Sequence, residues 1–155
     1  MRVLIAGSSG AIAEAVAKKL RDDGDHVFTL SRAGEPSATH CVADLTKPSS
    51  VEQVKAFIDK CGPLDAVFCG TGLLHGGWNM PEKSLSQFSM DWLQQNMLVN
   101  VQTHVHLAQA VEPLVKRSAP IKWVSLSAMV GSLEDNGLGG WYSYRMSKAA
   151  LNMFI

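Results

Sequence analysis

The sequence predicts an α/β fold in which helices cover both faces of a parallel sheet. Short apolar runs of strand length alternate along the chain with longer segments whose apolar residues recur at helical spacing. Turns that contain glycine separate several of these segments. Strands that alternate with helices form βαβ units with right-handed crossovers, and a series of such units produces a three-layer, doubly wound sheet.

The first half of the chain carries three of the predicted strands. The run from Arg2 to Ala6 is a buried strand that ends at the turn 7–10, and the helix that follows stops at Asp22-Asp23-Gly24. The other elements predicted here are strands at 26–30 and 40–42 and a helix that opens at 46–48 and stops at Gly62-Pro63.

The second half continues the alternation. The longest helical pattern runs from about 91 to 116, and Pro113 should kink or end it. The other elements predicted here are strands at 64–69 and 121–126, loops at 73–89 and 131–140, and a helix that begins near Tyr142. We find no internal repeat and predict one Rossmann-like domain over residues 1–155.

Composition narrows the class of protein. The chain has 155 residues, 46% of them hydrophobic and 18% charged, and its formal net charge is zero. This balance excludes a disordered chain, which needs low hydrophobicity and a high net charge. It also argues against a nucleic-acid partner, because such binding depends on an excess of Lys and Arg. With no membrane-length apolar run and no export signal, we expect a cytoplasmic protein without a membrane partner.

The sequence offers no metal site. Neither the cysteines nor the histidines have the spacing of metal ligands, so we expect free thiols and ordinary loop or helix-surface imidazoles. The residues concerned are Cys41, Cys61, Cys69, His75, His104 and His106.

The last residues form an unfinished pattern. Leu151 to Ile155 are largely apolar at helical spacing, and no Gly, Asn or Pro follows to stop the helix. We therefore expect a fragment, with the C-terminal strands of the sheet beyond Ile155.

The glycine turn after the first strand is the first candidate site. Gly7 permits a tight turn, and Gly10 lets the backbone approach a ligand, while Ser8 and Ser9 add hydroxyl donors. The helix that follows, which contains Ile12, directs its N-terminal N–H groups and its positive dipole end toward a pyrophosphate bound there. The alternative is a turn that only reverses the chain.

The end of the second strand bears on the choice of dinucleotide. A carboxylate at this position would bind the ribose 2′-hydroxyl of NAD, but the sequence has Ser31 and Arg32 instead. Arg32 can pair with the 2′-phosphate of NADP, with Ser31 as a further donor, so NADP(H) is preferred over NAD(H). The alternative is a solvated loop arginine.

A tyrosine and a lysine form the most chemically suggestive pair. Tyr144 and Lys148 are one helical turn apart on the same face. An ammonium near the phenol favours phenolate and lowers the tyrosine pKa, which would make Tyr144 a general acid for a carbonyl oxygen. The alternative is an exposed surface pair.

Together these motifs resemble the short-chain dehydrogenase/reductase family, over the N-terminal part of that fold. The features that carry the resemblance are the glycine turn, Asp44 in Ala43-Asp44-Leu45, the strand 64–67 with its glycine end, Asn100 in the long helix, Ser127, Tyr144 and Lys148. Segments 73–75, 81–85, 131–132 and 139–145 are similar to the C-factor-like branch.

The resemblance implies a role for each matching residue. Tyr144 would be the catalytic acid/base, Lys148 would lower its pKa and bind the nicotinamide ribose, and Asn100 would hold a water in a proton relay. Around the cofactor, Asp44 and Leu45 would flank the adenine, and Cys69, Gly70 and Thr71 would lie near the ribose. The two long helices would form the subunit bundle of a homodimer or homotetramer.

The sequence departs from the family pattern in three places. Ala11 and Ala13 stand where glycines are common, and residues 69–72 read Cys-Gly-Thr-Gly instead of Asn-Asn-Ala-Gly. Ala128 occupies the position of the usual substrate-orienting serine, so that role passes in our assignment to the adjacent Ser127, with Ser132 as another possible donor.

The combined motifs predict an NADP(H)-dependent carbonyl reductase or alcohol dehydrogenase that acts on a small compound. The alternative class is a non-catalytic dinucleotide sensor or signalling protein on the same fold. A third possibility, a sugar-nucleotide epimerase or dehydratase, would require recognition residues beyond Ile155.

Overall fold

A computed structural model describes residues 1–116 and 119–155, which form a five-stranded parallel sheet. The strands are β1 (Arg2–Ala6), β2 (His26–Ser31), β3 (His40–Val42), β4 (Ala66–Cys69) and β5 (Lys122–Ser125), in the spatial order β3-β2-β1-β4-β5. The central β1 pairs with β2 on one side and with β4 on the other. The chain therefore reverses its direction of travel across the sheet at β1, and ligands of such sheets bind beyond the strand ends at this point.

In the part of the chain that the structure describes, five α-helices connect or flank the strands. They are α1 (Ala11–Asp22), α2 (Ser50–Cys61), α3 (Met90–Met97), α4 (Thr103–Val111) and α5 (Tyr142–Phe154). A π-helical segment, Leu98–Gln102, joins α3 to α4, and short 3-10 helices lie at Leu85–Gln87, Glu112–Leu114 and Met129–Gly131. Within the described ranges, no helix combines the length and the apolar character needed to cross a membrane.

The alternating side chains of β1 divide the core into two layers. Val3 and Ile5 pack on one face with residues of α1, whereas Leu4 and Ala6 pack on the other with residues of α2 and α4. Both layers are apolar, and burying one such aliphatic side chain contributes about 1.5–3 kcal/mol. The three-layer fold class predicted from the sequence is confirmed.

Among the predicted elements, the long helix over 91–116 shows the largest difference from the structure. It is divided by the π-helical segment Leu98–Gln102 and ends in the 3-10 turn Glu112–Leu114, which contains Pro113. A π-helical turn accommodates an extra residue and locally rotates the following side chains, and apolar spacing alone does not reveal it. The predicted strands 64–69 and 121–126 are shortened to β4 and β5.

Candidate active site

A cavity of about 230 Å³ lies at the carboxyl ends of the central strands. Its walls come from the turn after β1, the end of β2, the segment after β3 and the residues after β4. Most of the predicted cofactor residues line it, namely Gly7, Ser9, Gly10, Ser31, Arg32, Asp44, Leu45, Gly70 and Thr71.

The turn after β1 is shaped by backbone contacts. Gly7 has φ +74°, and a Cβ there would lie 2.9 Å from the backbone nitrogen of Thr71. The N–H groups of Gly7 and Ser8 both donate to the carbonyl of Leu30, which fixes the turn against β2. Gly10 caps α1 without a side-chain hydrogen bond, so the start of that helix is open to an anionic ligand.

Five predicted cofactor residues do not line the cavity, namely Ser8, Ile12, Cys69, Tyr144 and Lys148. The Ser8 hydroxyl donates to the Leu30 carbonyl at 3.2 Å. Ile12 is 61% exposed and lies on an outer surface of α1. Cys69 is fully buried in the core with its Sγ 3.3 Å from the Thr71 hydroxyl, and burial raises the pKa of this thiol.

The end of β2 and the segment after β3 form the opposite wall. Arg32 is exposed, whereas the buried Ser31 donates its hydroxyl to the Ala33 carbonyl at 2.5 Å, so this proton is already engaged. Asp44 accepts hydrogen bonds from the Thr46 hydroxyl at 2.7 Å and from the Thr46 N–H at 3.0 Å. These bonds, and the positive charge of Arg32, hold the pKa of the Asp44 carboxyl below its usual range.

Asn100 lies in the π-helical segment and is fully buried. Its Oδ1 accepts from the N–H of Leu73 at 2.6 Å, and its Nδ2 donates to the Leu73 carbonyl at 2.9 Å. The same Nδ2 lies 2.8 Å from the Ser147 hydroxyl oxygen and 3.2 Å from Oδ1 of Asn96. Asn100 therefore connects the loop after β4 to helix α5.

Lys148 is buried on α5 near the tyrosine ring. Its ammonium donates to the Leu126 carbonyl at 2.7 Å and lies 5.8 Å from the centre of the Tyr144 ring. A Cβ on Gly72, which lines the cavity, would lie 3.6 Å from both Lys148 Nζ and Asn100 Oδ1. The lysine and the asparagine thus both lie close to Gly72, although neither lines the cavity itself.

The proton affinities of the pair are set mainly by burial. Burial lowers the pKa of the Lys148 ammonium and raises that of the Tyr144 phenol. The direction for Tyr144 is opposite to the one expected from the sequence, because the cost of burying a phenolate is the dominant effect. A raised pKa keeps the phenol protonated, as a proton donor requires.

The end of β5 holds the candidate substrate-orienting serines. The exposed Ser127 donates its hydroxyl to Oδ1 of Asn152 on α5. The hydroxyl oxygen of Ser132 accepts from the N–H of Asp135 at 3.3 Å. Ala128 precedes the short helix Met129–Gly131 and brings no hydroxyl.

The residues of the cavity fit a dinucleotide. The glycine turn leaves the start of α1 open to a phosphate, and the Lys148 and Asn100 side chains both lie close to Gly72 in the cavity wall. A family model described as short chain dehydrogenase matches residues 1–155. The chain belongs to the short-chain dehydrogenase family.

Two curated relatives are similar to different lengths of the chain. The chain is 34% identical over 163 aligned residues to 1-hydroxy-2-glutathionyl-2-methyl-3-butene dehydrogenase of Rhodococcus sp. (strain AD45), covering 97% of this chain and 66% of the relative. It is 30% identical over 94 residues to C-signal of Myxococcus xanthus, covering 61% of this chain and 54% of the relative. The chain thus spans about two thirds of the length of the first relative and about half of the second.

Solved short-chain dehydrogenases share the fold. A short chain dehydrogenase from Salmonella enterica subsp. enterica serovar Typhi str. CT18 superposes with a TM-score of 0.82 at 25% identity. The match covers 98% of this chain and 66% of that one.

Sequence reasoning missed several polar residues that are buried around the site of this short-chain dehydrogenase. His104 is fully buried, with its ring nitrogens 3.0 Å from the Ser125 hydroxyl and 3.2 Å from the Thr71 carbonyl, and His106 lies 2.8 Å from the Leu45 carbonyl. The expectation that these histidines lie on a helix surface is wrong. Burial lowers the pKa of His104 to about 4.

A signal for this network was present in the sequence. Asn96, Asn100 and His104 recur at four-residue spacing, and all three are fully buried in the structure. Such a polar stripe marks a helix face that needs hydrogen-bond partners, just as an apolar stripe marks a face that packs.

Proposed function

We propose that this chain carries the dinucleotide-binding and proton-donating parts of an NADP(H)-dependent oxidoreductase that interconverts a small carbonyl compound and its alcohol. The observation that carries the proposal is the position of Gly72. This residue lines the cavity, and a Cβ on it would lie 3.6 Å from both the Lys148 ammonium and the Asn100 amide oxygen. A dinucleotide in the cavity would therefore extend toward the tyrosine–lysine pair.

Each part of the cavity would bind a different part of the cofactor. The turn Gly7 to Gly10 and the start of α1 would hold the pyrophosphate, and Asp44 with Leu45 would flank the adenine. Arg32 is exposed at the end of β2, where its guanidinium would pair with a 2′-phosphate. This arginine is the basis for proposing NADP(H) rather than NAD(H).

The chemistry would be divided between cofactor and protein. A bound nicotinamide would supply a hydride to the carbonyl carbon. Tyr144 would donate its proton to the carbonyl oxygen, and the Lys148 ammonium would stabilise the phenolate that remains. Asn100 would hold the loop at Leu73 in place and support a water in the proton relay.

The test of this function combines binding and turnover in the intact protein. We expect NADPH to bind, and we expect the Tyr144→Phe variant to retain that binding while turnover falls by about 10²–10⁴-fold, the usual contribution of a positioned acid. Tyr142→Phe is a matched control, because it removes a phenol from the same helix two residues away. Absence of NADPH binding, or full turnover by Tyr144→Phe, would contradict the proposal.

A non-catalytic dinucleotide sensor is the second candidate function. Ala128 favours it, because no hydroxyl replaces the usual serine at that position. NADPH binding without oxidation over a broad panel of carbonyl compounds would support the sensor and overturn the reductase.

We also propose that the protein assembles as a homodimer or homotetramer. Leu93, Met97, Val101 and Val105 line an open groove along α3, the π-helical segment and α4, and each of these side chains is only half-buried. A second copy of the chain would cover this apolar face. Sedimentation of the intact protein should show a mass of at least two chains.

A further inference from the structure

The loop after β4 contains a buried acidic residue that the proposed chemistry does not use. Glu82 is 2% exposed, and within residues 1–116 and 119–155 no lysine or arginine forms an ion pair with it. A buried carboxylate without a cationic partner needs hydrogen-bond donors, because transfer of its charge out of water is costly.

The donors come from the first turn of α5. Ser143, which is fully buried, directs its N–H toward both carboxylate oxygens of Glu82 at 3.3 Å and donates its hydroxyl to one of them. The start of a helix favours negative charge through its free N–H groups and its dipole. The Glu82 side chain therefore caps α5 although it lies 61 residues away in the sequence.

The Glu82 backbone holds the residues that lead into the same helix. Its carbonyl accepts from the N–H of Trp141 at 2.6 Å. Trp141 has φ +50°, a left-handed conformation that is uncommon for a residue other than glycine. A Cβ on Gly140 would lie 3.0 Å from the Glu82 carbonyl oxygen, so glycine is required for this close approach.

These contacts reach the proposed proton donor directly. Tyr144 follows Ser143, and its ring packs edge-on against Trp141 with the ring centres 6.3 Å apart. Neither Glu82 nor Ser143 lines the cofactor cavity. A change in the Glu82 contacts would therefore displace the phenol and leave the dinucleotide site intact.

We propose that Glu82 is a positioning residue that fixes the start of α5, and with it the Tyr144 phenol, through Ser143 and Trp141. This inference rests on the proposed function, because the consequence of the positioning is proton donation by Tyr144.

The experiment compares Glu82→Gln and Ser143→Ala with the wild type in the intact protein. Glu82→Gln preserves the size of the side chain but removes its charge and one acceptor, and Ser143→Ala removes only the hydroxyl donor. Glu52→Gln is the matched control, because Glu52 lies in the first turn of α2 and is exposed. We measure kcat and KM with a carbonyl compound from the panel that the wild type reduces, the Kd for NADPH, thermal unfolding, and amide hydrogen exchange of residues 142–145.

Positioning predicts a specific combination of results. In Glu82→Gln, kcat should fall by about 10–100-fold, the effect of a displacement of about 1 Å, while the Kd for NADPH stays unchanged. Ser143→Ala should change kcat in the same direction by a smaller factor, and both variants should exchange residues 142–145 faster. Glu52→Gln should behave as the wild type in every measurement.

Other outcomes separate this inference from the proposed function. Folded variants with wild-type kcat and wild-type exchange at 142–145 would overturn the positioning role. If Glu82→Gln does not fold, Ser143→Ala decides alone by the same criteria. If the wild-type protein binds no NADPH, the proposed function is contradicted. Amide hydrogen exchange of residues 142–145 in the variants would still show whether Glu82 fixes the start of the helix.

Discussion

The proposed cofactor side and the proposed catalytic side of the site are built in different ways. At the cofactor side, the turn Gly7 to Gly10 is shaped by backbone hydrogen bonds and by the absence of side chains. At the catalytic side, Asn100 reaches Leu73 and Ser147, which are 27 and 47 residues away in the sequence. Substitutions that add a side chain should therefore disrupt the glycine turn, whereas substitutions that remove hydrogen-bonding groups should disrupt the region around Asn100.

Removal of Asn100 should have the largest effect. In Asn100→Ala, the N–H and carbonyl of Leu73 lose their side-chain partners, and a cavity is left in a buried position. Because each unsatisfied buried group costs about 1–3 kcal/mol, we expect the free energy of unfolding to fall by about 3–4 kcal/mol. Urea unfolding measures this change.

Asn136→Ala is the control for that substitution, because Asn136 is exposed in the loop before α5. We expect its free energy of unfolding to stay within about 0.5 kcal/mol of the wild type. Equal effects of the two substitutions would show that the catalytic side does not depend on the Asn100 contacts.

Lowering the pH should reduce the free energy of unfolding through protonation of His104. This loss should be slightly smaller than that caused by Asn100→Ala. Burial keeps the folded imidazole neutral until its pKa of about 4, whereas an unfolded histidine binds a proton near 6.5. Between these values the unfolded state holds more protons, so the free energy of unfolding falls as the pH falls. The loss attributable to His104 should approach about 3 kcal/mol from pH 6.5 to pH 4.

The measurement compares urea unfolding of the wild type and of His104→Gln across this pH range. The variant should lose less stability in acid, and the exposed His75→Gln should follow the wild type. Parallel curves for the wild type and His104→Gln would contradict the prediction.

Local pattern identifies most of the residues that line the cavity, but it does not identify the contacts that Asn100 makes. The bounds of β1 and β3 and the glycine turn follow from short runs of residues, because strand burial and turn geometry are local properties. Arg32, predicted from the end of the second strand, and Asp44, implied by the family resemblance, also line the cavity.

The long helix shows why the rest could not be predicted. Its apolar stripe, which includes Met97 and Val101, is half-buried beside an open groove, whereas the polar residues Asn96, Asn100 and His104 face the interior. Apolar periodicity would place the opposite face inside. The polar face is buried because residues from distant segments satisfy it, and no local pattern identifies those partners.

Adding a methyl group to the glycine turn should disrupt the cofactor side. In Gly7→Ala, both the φ of +74° and the contact of 2.9 Å with the Thr71 nitrogen oppose the new side chain. Gly24→Ala is the control, because Gly24 has φ +84° and open space around it. We expect Gly7→Ala to lower the free energy of unfolding by about 2 kcal/mol more than Gly24→Ala does.

The substitutions at Gly7 and Gly24 should also differ in their effect on NADPH binding. Gly7→Ala should weaken NADPH binding, since it moves the turn that lines the cavity, and Gly24→Ala should leave it unchanged. Fluorescence titration with NADPH measures both. Equal losses of stability in the two variants would show that the positive φ alone, and not the close approach to Thr71, disfavours the new side chain at Gly7. Equal losses of affinity would contradict a role of this turn in binding NADPH.

The smallest effect on the free energy of unfolding is expected for Arg32→Ala, which removes a side chain at the proposed cofactor side. Arg32 is exposed, so Arg32→Ala should change the free energy of unfolding by no more than about 0.5 kcal/mol. Loss of a charge-assisted contact worth about 1.5–3 kcal/mol should raise the Kd for NADPH by about 10–100-fold and leave the Kd for NADH unchanged. Arg21→Ala, an exposed arginine near the end of α1, should alter neither affinity. Equal weakening of NADPH and NADH by Arg32→Ala would contradict a 2′-phosphate contact and would place Arg32 at a part of the dinucleotide common to both cofactors.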